Sequence, residues 1–69
     1  MQSNSPNFAL RKAREDQGLT TRDVAKRLGV TIDTYRRWEQ NVQQPTIRHK
    51  GKLCRLFKKS IEELGFTLD

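Results

Sequence analysis

Apolar residues along this chain recur three and four positions apart, and polar or glycine breaks divide them into short groups. That spacing marks one-sided helices, and no stretch shows the clean alternation of a strand. Ser5-Pro6 reads as a helix start, with Ser as N-cap and Pro in the first helical position. Phe8, Ala9, Leu10 and Ala13 then predict a helix over 6–17, closed by Gly18 as a C-cap. Thr20 offers the next cap, and Asp23 three residues on completes a capping box. Val24, Ala25 and Leu28 predict a helix over 21–28, which Gly29 stops by taking the left-handed conformation while Val30 plugs the turn. Thr31 caps a third helix over 32–40, with Tyr35 and Trp38 facing inward and Ile32, Asp33, Arg36 and Arg37 sharing another face. Asn41 closes it, and 42–45 reads as loop. A fourth helix over 46–57 draws its apolar surface from Ile47, Leu53, Cys54, Leu56 and Phe57. Ser60 and Glu63 form a second capping box for a short fifth helix, and Ile61, Leu64 and Phe66 close the core. The expected fold is all-α, a five-helix bundle. Residues 1–5 read as a flexible tail and 6–69 as one domain.

The segment 18–39 carries the functional signal. Two short helices surround a tight turn, and the second presents a dense polar face. That is a helix-turn-helix, whose second helix can lie in the major groove of DNA. The charge balance agrees: 14 Lys and Arg against 8 Asp and Glu give a net +6, which favours a polyanionic partner. An anionic membrane fits less well. No apolar run approaches the roughly 18 residues of a span, and the apolar residues are split among short helices. The single cysteine, Cys54, allows no intramolecular disulfide and fits a reducing cytoplasm, and the polar start of the chain has no signal-peptide core. There is no phosphate-cradling glycine loop, no metal-ligand pair at useful spacing, and a single histidine without a nucleophile. No enzyme activity, cofactor, metal or small-molecule ligand is therefore expected.

Leu10, Arg14, Gly18-Leu19-Thr20, Val24-Ala25, Leu28-Gly29-Val30, Tyr35, Trp38-Glu39, Pro45, Leu53, Phe57 and Leu64 together resemble the phage repressor and Cro family of helix-turn-helix domains, the XRE-like, lambda-repressor-like type. The resemblance implies a bacterial or phage transcription regulator. It implies double-stranded DNA as partner, a palindromic operator, and a homodimer formed on it. It also implies an ion pair between Arg14 and Glu39 that locks the third helix to the first. The segment 52–66 is similar to family members in which this domain begins a longer regulator. Three features depart from the pattern. Tyr35 stands where Ile or Val is usual, Asn41 where Gly is usual, and Lys50-Gly51 where apolar residues are common.

On this frame Thr31, Ile32, Asp33, Arg36 and Arg37 are the candidate base contacts. Arg37 can grip guanine O6 and N7, Ile32 can meet a thymine methyl, and Asp33 can accept from cytosine N4. Thr20, Thr21, Gln40, Gln43 and Gln44 are the candidate phosphate contacts, Thr21 through its backbone N–H. Arg11, Lys12 and Arg22 are expected on the outer surface, serving solubility. Trp38 is read as core, Cys54 as inert core, His49 as an exposed helical residue, and Lys58-Lys59 as a solvated turn. No heptad seam exists, so the free chain is expected to be monomeric. The alternative function is a protein-interaction module of the same fold, binding a toxin, a sigma factor or another regulatory partner.

Overall fold

Asn7, and not Ser5, begins the first helix. The structure is a computed structural model that describes residues 5–66; residues 1–4 of the expected tail over 1–5 lie outside these. Asn7 wins the cap because its side-chain amide and its backbone N–H together make three bonds at once. Its Oδ1 accepts from the Leu10 N–H at 3.0 Å, its Nδ2 donates to the Leu64 carbonyl at 2.9 Å, and its backbone N–H donates to the Glu39 carbonyl at 2.7 Å. A serine hydroxyl would have to accept and donate from one oxygen atom, whereas the amide spans the two partners with a separate oxygen and nitrogen. The chain start is thereby stitched to the end of the third helix and to the closing turn.

The described residues form four α-helices: α1 Phe8–Asp16, α2 Thr21–Leu28, α3 Ile32–Glu39 and α4 Ile47–Phe57. Thr20, Thr31 and Thr46 cap the last three, each hydroxyl accepting from the N–H three residues on. The reciprocal Thr20–Asp23 box is complete at 3.1 and 2.9 Å. Gly29 ends α2 at φ 74°, and Asn41 after α3 adopts φ 61°, a conformation its short polar side chain tolerates.

The expected fifth helix is not one. The Ser60–Glu63 box does form, at 2.8 and 3.1 Å, but Gly65 turns left-handed at φ 83° immediately afterwards. Only a single 3-10 turn fits between them, Glu62–Leu64. Gly65 has a packing reason as well. A Cβ there would stand 2.5 Å from Asn7 Oδ1, so glycine keeps the Asn7–Leu64 stitch possible.

The core unites Leu10 and Ala13 of α1, Val24, Ala25 and Leu28 of α2, Tyr35 and Trp38 of α3, Leu53 and Phe57 of α4, and Leu64 and Phe66 at the end. Helix α2 packs against α3 and α4, and α1 packs against α3 and the closing turn. Tyr35 and Trp38 meet edge to face, with ring centroids 6.0 Å apart. Phe8 and Ile47, both counted as apolar contributors, each remain 63% exposed, because their helical phase points away from this cluster. Lys50 does the reverse. It is buried, its stem fills an apolar slot of α4, and its ammonium sits 5.8 Å from the centre of the Phe66 ring. His49 is half-buried rather than exposed, tilted against Trp38 with centroids 5.3 Å apart. Cys54 is half-buried beside the core, and burial raises its thiol pKa, which suits an inert side chain.

Candidate nucleic-acid interface

The helix-turn-helix stands on a polar bolt through the domain. Arg14 of α1 lies 2.7 Å from Glu39 at the end of α3, Nε to Oε2, with a second contact from Nη2 to Oε1 at 3.4 Å. The side chains are only 14% and 11% exposed. Arg14 Nη1 also donates to the Leu19 carbonyl at 3.0 Å, tying in the α1–α2 loop. The Tyr35 hydroxyl donates to the same Glu39 oxygen that Arg14 Nε holds. The tyrosine that departs from the family pattern thus finds its partner one helical turn along. Burial first, and the bond to Glu39 second, hold the Tyr35 hydroxyl pKa well above its ordinary value. The bond to Glu39 raises the Arg14 pKa, so the guanidinium stays charged.

This bolt fixes which face of α3 looks outward. Asp33, Arg36 and Arg37 are exposed there, as is Thr31 at the cap. Two of these residues are coupled: Arg37 Nη2 lies 3.1 Å from Asp33 Oδ2, one turn apart, on side chains 54% and 74% exposed. Such an exposed pair is worth little, so Arg37 can leave it for a better partner at small cost. The Thr31 hydroxyl is engaged in capping, accepting from the Thr34 N–H and donating to Thr34 Oγ1. Ile32 is half-buried against the core, so only part of its side chain is left to face a groove.

Beside this face lies a cleft of about 290 Å³. It brings together Thr21 of α2, Gln40 after α3, Arg36 of α3, and Arg11 and Arg14 of α1. Thr21 is the first residue of α2, where backbone N–H groups point outward without intrahelical partners. Among the described residues no ion pair involves Arg36, whereas Arg11 is held by Glu15 at 3.0 Å and Arg14 by Glu39. Two expected phosphate contacts, Thr21 and Gln40, therefore converge. Gln43 and Gln44 do not line the cleft; they stand on the exposed α3–α4 loop, with Gln44 Nε2 bonded to Asn41 Oδ1 at 3.1 Å. The Thr20 hydroxyl accepts from the Asp23 N–H in its capping box, and its own O–H is left to donate. Arg11, expected on the outer surface, is exposed and also lines the cleft. Its three-residue spacing from Arg14, which places both on one side of α1, was the available signal.

No helix of the described residues is long and apolar enough to cross a membrane. The helix-turn-helix family model matches residues 10–64, from the first core leucine of α1 through the last of the closing turn. Neither the curated proteins nor the solved structures yield a match to the chain. With the capped α2–α3 pair and its Arg14–Glu39 brace inside that match, the chain belongs to the XRE-type helix-turn-helix family, the DNA-binding domains of transcription regulators.

Proposed function

We propose that α3 enters the major groove of duplex DNA and reads sequence with Arg37 and Asp33, supported by Thr31 and the exposed part of Ile32. The observation that carries this reading is the junction of two surfaces. The exposed polar face of α3 runs directly into the cleft formed by Arg36, Arg11, Gln40 and the start of α2. A helix in the groove sets its flanks against the sugar-phosphate backbone, and this cleft presents cationic and N–H donors there. Arg36 then serves as a backbone contact more than as a base reader, because it turns toward the cleft. Two copies bound to a palindrome would present their α3 helices about 34 Å apart, one turn of the duplex.

Selection of bound sequences from a random duplex pool, followed by titrations at several salt concentrations, tests this. Recovery of a defined half-site, with affinity falling steeply as salt rises, supports it. Arg37→Ala is expected to lose roughly 1–3 kcal/mol on the selected site and to relax specificity at one base position. Arg36→Ala and Gln40→Ala are expected to weaken selected and scrambled duplexes alike. An Arg37→Ala variant that weakens both equally removes Arg37 as a reader. No enrichment from the pool, with salt-insensitive binding, removes the DNA reading itself.

A further inference from the structure

Helix α4 carries a second exposed surface that DNA reading by α3 does not use. Its outward side has two parallel rows. Ile47 and Gly51, with the half-buried Cys54 at the inner edge, make a low apolar ledge at i, i+4 and i+7; Arg48, Lys52 and Arg55, at the same spacing one residue on, make a basic ridge. Ile47 is 63% exposed. Gly51 is exposed in the middle of the helix, its φ is not left-handed, and a Cβ added to it would meet nothing within 4 Å. Among the described residues neither the backbone nor the packing requires a glycine there, although glycine weakens a helix interior. The ridge is equally unanswered. No Asp or Glu occurs between Glu39 and Glu62, and among the described residues Arg48, Lys52 and Arg55 make no ion pair. On α1, by contrast, Arg11, Lys12 and Arg14 all have carboxylate partners.

We propose that this face of α4 docks an acidic amphipathic helix of another protein. Its apolar residues would lie along the ledge, its backbone approaching closely at Gly51, and its carboxylates would pair with the ridge. Charge decides against a second copy of this chain, since two such faces would set ridge against ridge. A phosphate backbone would pair with the ridge but leave Ile47 and the open space at Gly51 uncovered, and the DNA arm of the test separates the two partners. The proposal stands apart from the reading of α3 and survives or fails separately.

The test is an amide-resolved NMR titration of the intact chain with a synthetic capped peptide of about 15 residues, the length at which an isolated helix begins to hold. The peptide carries leucines along one side and glutamates on its flanks. A scrambled peptide of the same composition and a duplex DNA are titrated in parallel. The amphipathic peptide is expected to shift the amides of 47–55 and to outbind the scrambled one. Gly51→Leu fills the close approach while favouring the helix, so it is expected to raise the melting temperature and yet weaken the peptide about tenfold or more. Arg48→Glu with Arg55→Glu is expected to abolish binding, with the domain still folded by its amide spectrum. Equal binding of the scrambled peptide, an unchanged affinity in Gly51→Leu, or shifts centred on α2 and α3 each overturn the proposal. Duplex DNA shifting the same α4 amides more strongly than the peptide overturns it in favour of a nucleic-acid surface.

Discussion

Glu39→Ala is the perturbation that most directly probes how α3 is held. The carboxylate is the shared acceptor of Arg14 and of the Tyr35 hydroxyl, on a side chain 11% exposed. Its removal leaves a guanidinium that is only 14% exposed with the Leu19 carbonyl as its remaining partner, and leaves a buried hydroxyl without an acceptor. Breaking one side of a fully buried pair costs roughly 3–5 kcal/mol; water reaching the partly open cleft lowers this to about 2–4 kcal/mol. A domain of this size holds roughly 3–10 kcal/mol in all. The melting temperature should therefore fall by about 10–30 °C, and the urea midpoint should drop with little change in slope. Calorimetry and urea titration followed by Trp38 fluorescence measure this. Arg14→Met combined with Glu39→Leu removes both charges and restores apolar packing, so the double variant is expected to be more stable than Glu39→Ala alone. A Glu39→Ala protein melting within a few degrees of the parent, or a double variant whose losses simply add, refutes the idea that this pair braces α3.

Three further outcomes follow from single features. Gly51→Ala should raise stability by about 0.5–1 kcal/mol, read as a higher melting temperature, because the added Cβ meets open space on a helical backbone. Tyr35 is raised above its ordinary pKa of 10.0, so the stability it contributes is present below pH 10 and is lost as pH rises beyond it; alkaline unfolding followed by circular dichroism should be shallower in Tyr35→Phe. Asp23 and Glu63 are held below their ordinary values of 3.8 and 4.5, first by the backbone N–H groups of Thr20 and Ser60; their contribution is present above those values and is lost as pH falls through the depressed ones, so Asp23→Asn with Glu63→Gln should flatten the acid limb of an unfolding profile.

The local grammar of this chain was largely readable in one dimension. Thr20 with Asp23, Gly29, and Thr31 marked the ends of α2 and the start of α3, because caps and left-handed turns depend on the few residues around them. The inward direction of Tyr35 and Trp38 followed from helical period in the same way. The exposed polar face of α3 was legible for that reason too, whereas the cleft was not: Arg11 and Arg36 meet Thr21 and Gln40 only after three helices have packed. Four other assignments also depended on long-range neighbours. Asn7 became the cap in place of Ser5 because its amide also reaches Leu64 while its backbone N–H donates to Glu39, partners 57 and 32 residues away along the chain. Lys50 took a core position because Phe66 folds back beneath its ammonium. The closing segment stayed a single 3-10 turn because Gly65 must leave room for Asn7. Tyr35 could replace an aliphatic residue because Glu39, already drawn in by Arg14, accepts its hydroxyl. Sequence thus determined what short-range hydrogen bonds and helical periodicity control. Tertiary structure decided where Asn7, Lys50 and Tyr35 placed their polar groups, since a buried polar group depends for its partner on whatever the fold brings near it.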